Sequence, residues 1–216
     1  VCSTEDFAKQ VSAYSSYLLS LLYYEKSNKK LIKEHEDYQQ FFSKIKRFKP
    51  LSNKSTKIRI AYISADFRKH VMYYFYQSLL TAYDKNSFEV ICYCLNQEDD
   101  KTALLKEHVD EWYNVQNQSY EKIAKSIYEN KIDILFDMSG HTVNNALPIL
   151  AYRPASIQIS GLGYLGPIGL STVDYYLTDK YSYAPSKCSP EQIQPLKLKH
   201  HSQFCYKRNN VPPICS

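Results

Sequence analysis

The sequence predicts an α/β fold: a Rossmann-like parallel sheet with helices on both faces, preceded by an α-helical hairpin. Three observations predict it. From about residue 57 onward, short apolar runs rich in β-branched residues alternate with amphipathic segments, the order that gives a parallel sheet covered on both sides. Two longer stretches with helical periodicity come before them. Between the two parts, Pro50 and the polar stretch "LSNKST" break both patterns and read as a joint.

The first helix is expected over 6–24, where Phe7, Val11, Tyr14, Leu18, Leu21 and Leu22 share a face. The second is expected over 28–47, on Leu31, Ile32, His35, Tyr38, Phe41, Phe42 and Ile45. Strands follow at 57–64, 88–95, 111–115, 131–140, 155–161 and 173–178. Helices fill the intervals at 71–84, 101–110, 119–130 and 142–151, the last stopping before Arg153 and Pro154. No internal repeat or low-complexity tract is visible.

With 216 residues and 44% hydrophobic content the chain can bury a core of its own. Its formal charge of +5 is scattered in short runs, with no block of like charge that would mark a nucleic-acid partner. No apolar run approaches the roughly 20 residues that span a bilayer, so no membrane partner is expected. The six cysteines form no C-x-x-C pair and no signal peptide precedes them. Reduced thiols in the cytoplasm or nucleus are therefore expected. The chain starts at Val1 and finishes in "YKRNNVPPICS", and both ends look cut.

Residues 160–169, "SGLGYLGPIG", hold a literal G-x-G-x-x-G at Gly161, Gly163 and Gly166. A dinucleotide reading needs a helix opening from the glycines, because the pyrophosphate sits at its N-terminus. Pro167 and Gly169 follow at once and the next strand starts near Val173, which leaves no room for that helix. The glycines instead mark a loop at the carboxyl end of a strand, where open α/β sheets bind their ligands.

Three such loops should meet at one edge: "SADFRKH" after the first strand, "DMSGHT" after the fourth and "GLGYLGPIG" after the fifth. They bring Asp66, His70, Asp137, His141, Thr142 and the glycines toward one crevice suited to acid/base chemistry or sugar-hydroxyl recognition. Each has a plainer explanation. Asp66 and Thr142 could cap helices, and His70 and His141 could be core histidines bonded to backbone. The histidines lack metal-ligand spacing, so no metal is expected.

The segments "IRIAYISADFRKHVMYYF", "NSFEVICYCL", "NKIDILFDMSGHT", "YRPASIQISGLGYLGPIGLSTVDYYLTD" and "YSSYLLSLLYYEKSNKKLIKEHEDY" resemble, collinearly, the amino-terminal catalytic half of glycosyltransferase family 41. That family includes O-GlcNAc transferases and SPINDLY-type O-fucosyltransferases. The resemblance implies a catalytic region of two Rossmann-like lobes, preceded by tetratricopeptide repeats that carry protein acceptors. It implies that residues 1–50 are the helical joint, 57–206 the first lobe and 207–216 a tail toward a missing second lobe that holds most of the nucleotide site. Donor UDP-GlcNAc, protein acceptors with Ser or Thr hydroxyls, and no cofactor are implied with it.

By the same resemblance Asp66 and His70 match catalytic or sugar-contacting residues. Gly140, His141 and Thr142 match a loop of the bacterial members. Leu162, Gly163, Tyr164 and Leu165 match the loop that shapes the sugar pocket. The departures are Gly161 for an expected Trp, Leu165 and Val71 for expected prolines, and Ala13 and Tyr14 where the family carries a histidine proposed as a base. These departures and the missing second lobe leave open a truncated, non-catalytic protein-binding fragment; a transferase using GDP-fucose also stays open, because the resemblance implies that the second lobe reads the nucleotide base.

Overall fold

A computed structural model describes residues 4–49, 51, 55–182 and 193–206. The proposed tail 207–216, and Cys2, Cys188 and Cys215, lie outside the described residues. Seven parallel strands form one sheet in the order β3-β2-β1-β4-β5-β6-β7. They are β1 (Ile58–Ser64), β2 (Phe88–Cys94), β3 (Glu111–Asn114), β4 (Ile134–Asp137), β5 (Ile157–Ser160), β6 (Tyr175–Asp179) and β7 (Gln194–Leu198).

The helices are α1 (Thr4–Tyr24), α2 (Asn28–Asp37), α3 (Tyr73–Thr81), α4 (Asp100–Lys106), α5 (Tyr120–Glu129) and α6 (Leu147–Leu150). Alternation along the strands divides the core into two layers. Ile63, Ile91 and Leu135 face a layer built with Val11, Leu18 and Leu21 of α1, Leu31 of α2, Ile123 and Ile127 of α5, and Leu147 and Ile149 of α6. Tyr62, Cys92 and Phe136 face the other layer, with Tyr76 and Leu80 of α3 and Leu105 of α4. The hairpin α1–α2 thus shares the sheet's own core, and Leu18→Ala would cost about 2–5 kcal/mol of stability.

Several expected boundaries move, each for a local reason. The helix expected over 28–47 is α-helical only to Asp37, then tightens into a 3-10 turn over Tyr38–Phe42 and stops. Beyond Phe42 the residues Lys44, Lys46 and Arg47 are exposed, so no apolar stripe prolongs the helix. Of the helix expected over 142–151 only Leu147–Leu150 forms. Ahead of it the Thr142 hydroxyl donates to the Ser139 carbonyl at 3.1 Å, Asn145 Nδ2 donates to the Thr142 carbonyl at 2.9 Å, and Asn144 sits at φ 58°. These side-chain bonds take the backbone groups a helix would use. Thr142 is therefore no helix cap.

The strand expected over 131–140 ends at Asp137, whose carboxylate accepts from the Ser139 and Gly140 amides and turns the chain. Strand β7 was not anticipated: it is short and carries Pro195 and Lys197, residues that suit the sheet edge where it lies. No helix connects β5 to β6, so the glycine loop has no helix N-terminus for a pyrophosphate.

Candidate functional site

The strand order reverses direction around β1, so the loops after β1 and β4 diverge and leave a crevice at the carboxyl edge. An open hollow of about 560 Å³ lies there. Asp66, Arg68, His70, Val71 and Met72 line it from the loop after β1, and Thr142, Val143 and Asn144 from the loop after β4. Gly163 closes it from the loop after β5, and Leu19 from α1.

Asp66 caps no helix, because α3 begins at Tyr73 and its N-cap position is Met72. Instead the Asp66 amide donates to Ser64 Oγ at 3.0 Å and its carboxylate points along the loop. One oxygen, Oδ1, lies 3.6 Å from the Arg68 guanidinium and 3.8 Å from His70 Nδ1. The Met72 amide donates to His70 Nδ1 at 3.3 Å. A neutral ring accepting that bond carries its proton on Nε2, which makes it a donor toward a ligand oxygen. A protonated ring has Asp66 as counter-ion.

Beneath this loop Tyr76, fully buried on α3, reaches both neighbouring strands. Its hydroxyl donates to the Met138 carbonyl at 3.2 Å and lies 3.2 Å from Ser64 Oγ. Asp137 is fully buried and ties β4 to β5. It accepts from Ser160 Oγ at 2.6 Å, from the Gly140 amide at 3.0 Å and from the Ser139 amide at 3.2 Å. Burial pushes its carboxyl up, and these three donors act against that.

The other expected residues sit deeper. His141 is buried: its Nε2 donates to the Ile168 carbonyl at 2.9 Å, which leaves Nδ1 to accept from Ser15 Oγ at 3.2 Å. Tyr164 is buried as well, and its hydroxyl donates to His35 Nε2 at 2.6 Å while the ring's Nδ1 donates to the Leu31 carbonyl at 2.7 Å. Burial lowers His35 to about 4, and burial with His35 nearby lowers His141 to about 3. Both rings are neutral at pH 7. Gly140, at φ 54°, is the seat of the Tyr164 ring, since an added Cβ would overlap it. Leu162 buries its side chain with a left-handed backbone at φ 70°, and Leu165 is exposed without lining the hollow.

Of the nine expected site residues, Asp66, His70, Thr142 and Gly163 therefore meet in the crevice. Gly140, His141, Leu162 and Tyr164 form the packing behind it. Arg68, Met72, Val143, Asn144 and Leu19 line it without having been anticipated. The Asn-Asn pair at 144–145 was a visible turn signal, whereas nothing in helical periodicity singled out Leu19. At Tyr14, where the resemblance led to the expectation of a histidine, the hydroxyl donates to the Glu34 carbonyl at 3.1 Å, and the ring packs against Tyr38 and Phe41. Among the described residues no cluster of three or more His, Cys, Asp or Glu could hold a metal ion.

A profile of glycosyl transferase family 41 matches residues 31–206. The chain belongs to glycosyltransferase family 41. It is 32% identical over 196 residues to the probable UDP-N-acetylglucosamine–peptide N-acetylglucosaminyltransferase SPINDLY of Arabidopsis thaliana, covering 86% of this chain. It is 30% identical over 215 residues to the rice protein (Oryza sativa subsp. japonica) of the same name, covering 94%. The chain spans 21% and 23% of those two relatives' lengths. An O-GlcNAc transferase variant from Thermobaculum terrenum superposes with a TM-score of 0.77 at 24% identity, over 88% of this chain and 37% of that one. The last likeness shows that this family 41 chain has the same fold.

Proposed function

We propose that this chain is the acceptor- and sugar-side lobe of a protein O-linked sugar transferase, moving GlcNAc from UDP-GlcNAc to Ser or Thr hydroxyls of proteins. The observation that carries the proposal is the Asp66–His70 pair in the crevice of a family 41 chain. The names of its plant relatives support the donor and the peptide acceptor. In the reaction the acceptor oxygen bonds to the sugar's anomeric carbon with inversion, the bond from that carbon to the diphosphate breaks, UDP departs, and the hydroxyl proton is released.

In this reading His70, with Nε2 toward the crevice, orients an oxygen of acceptor or sugar, and Asp66 steadies the ring if it charges. Thr142 and the backbone at Gly163 supply the sugar-facing wall, while Gly140, His141, Leu162 and Tyr164 act as its frame. Residues 4–49 serve as a joint packed into the lobe. The free thiols Cys92, Cys94 and Cys205 fit a reducing compartment, cytoplasm or nucleus. Among the described residues no helix is long and apolar enough to cross a membrane.

The test is transfer of labelled GlcNAc to a Ser/Thr peptide by the full-length protein bearing this chain. His70→Ala is expected to lower turnover about 10²- to 10⁴-fold. Full turnover by that variant would overturn the proposal.

A further inference from the structure

The loop that carries Asp66 and His70 is bonded at its ends, by the Asp66 amide to Ser64 Oγ at 3.0 Å and by the Tyr73 amide to the His70 carbonyl at 3.0 Å, but its middle is held from outside. Its two ion pairs are loose, at 3.6 and 3.8 Å, and the Lys69 side chain is exposed. The shortest bonds to that middle come from the start of α4, the helix that follows β2. Asp99 is the N-cap of α4: its Oδ1 accepts the Lys101 amide at 2.9 Å and the Thr102 amide at 3.0 Å. Its second oxygen, Oδ2, turns away from the helix and accepts the Lys69 amide at 2.6 Å. Thr102 completes the capping box by accepting the Asp99 amide at 3.1 Å, and its hydroxyl donates to the Phe67 carbonyl at 2.6 Å. Thr102 is fully buried, and so is Phe67, whose ring packs on Tyr76 and Trp112.

A capping box needs one carboxylate oxygen and one hydroxyl to satisfy the helix. Here both side chains have a second partner, and both second partners lie in the segment 67–69 between Asp66 and His70. A carboxylate–amide bond at this distance is charge-assisted and directional. Phe67 and Lys69 are thus fixed by their backbones while the side chains on either side remain free to face the crevice.

We infer that Asp99 and Thr102 are positioning residues, holding the Asp66–His70 loop against the crevice through the backbones of Lys69 and Phe67. The inference rests on the role proposed for Asp66 and His70, and it makes the start of α4 part of the site's machinery. Misplacement of a reacting group by about 1 Å can cost on the order of 10² in rate, so a clamp of this kind has a measurable effect.

The variants separate clamping from capping. Asp99→Ser keeps a good N-cap oxygen for α4 but loses the second oxygen that holds Lys69. Asp99→Asn keeps the cap and sets an amide nitrogen against the Lys69 amide, donor against donor. Thr102→Val removes the hydroxyl at nearly constant volume, and Thr102→Ser restores it. In the 216-residue chain, hydrogen exchange at the Lys69 amide is expected to quicken about tenfold or more in Asp99→Ser and Asp99→Asn. Exchange at Ala103, whose amide donates to the Asp99 carbonyl inside α4 at 3.1 Å, should stay as in the parent. Unchanged exchange at Lys69 would overturn the clamp.

In the full-length protein, Asp99→Ser and Thr102→Val should lower kcat on the order of tenfold with KM for the donor little changed, and Thr102→Ser should recover most of it. Full turnover in these variants, where His70→Ala is inactive, would overturn the positioning role and leave the Asp66–His70 reading intact. Full turnover in His70→Ala as well would overturn both.

Discussion

His70 and His141 each follow a strand at the same edge of the same sheet, after β1 and after β4. His70 lies partly exposed in the crevice beside Asp66, held by a single amide bond. His141 is sealed between α1, the Tyr38 ring at 4.7 Å and the Ile168 carbonyl, with both nitrogens committed. The difference comes from what lies over each loop. The hairpin α1–α2 covers the layer containing His141, His35 and Tyr164, whereas the hollow opens over the loop after β1. A parallel sheet delivers loops to one edge, and the covering element decides which of their side chains can meet a ligand.

The sharpest test of that division lies at the glycines behind the covered loop. Gly169 has φ 68°, and a Cβ there would overlap the His35 carbonyl, which is backbone and cannot swing aside. Gly169→Ala is expected to cost roughly 3 kcal/mol or more, combining a left-handed backbone with a steric clash. Chemical denaturation of the chain measures it. A loss within about 0.5 kcal/mol would mean that the hairpin is not seated on this loop.

Next in size is the pair of histidines itself. His141→Ala removes a buried ring and strands the Ile168 carbonyl, so a loss of about 2–4 kcal/mol is expected. His70→Ala should change stability by no more than about 0.5 kcal/mol, against the roughly 10²- to 10⁴-fold loss of turnover proposed for it in the full-length protein. Were the two to cost the same in denaturant, the contrast between frame and crevice would fail.

Acid should act on the two buried rings of the frame. His35 and His141 have folded values of about 4 and about 3, below the ordinary value of 6.5 given for an unperturbed ring. The unfolded chain therefore binds protons that the folded chain refuses between pH 6.5 and those values. Stability is unaffected by the two rings above pH 6.5 and falls progressively as pH drops toward 4 and then 3, by several kcal/mol in all. Denaturation midpoints measured from pH 7 to pH 4 check this. In His35→Phe the slope should be shallower, and an unchanged slope would show that His35 does not contribute.

How much of this was legible beforehand depends on range. The parallel sheet, the six strands other than β7 and the convergence of three loops follow from local pattern, because β-branched runs and helical periods are written in adjacent residues. Asp66, His70, Thr142 and Gly163 reach the crevice because a strand's end fixes its loop. Burial of Tyr164 was not legible, since its partner His35 lies 129 residues away on another element. The clamp by Asp99 and Thr102 was half legible: Asp99 and Thr102 stand at capping-box spacing, but their second partners lie 30 and 35 residues away in the loop after β1.

The smallest effect tests whether the covered region has any part in the chemistry. Tyr14 stands where the resemblance led to the expectation of a histidine base, yet its hydroxyl donates to the Glu34 carbonyl and its ring packs on Tyr38 and Phe41. Burial, with Glu34 and Asp37 nearby, pushes it up to about 12, so it stays protonated at neutral pH and has no base to offer. Tyr14→Phe should then cost about 1 kcal/mol for one partly buried hydrogen bond and leave kcat within about twofold. A larger loss of kcat would mean that α1 turns its Tyr14 toward the acceptor during catalysis, which would give the hairpin a chemical role beyond the wall that Leu19 supplies and remove the distinction drawn from His70 and His141.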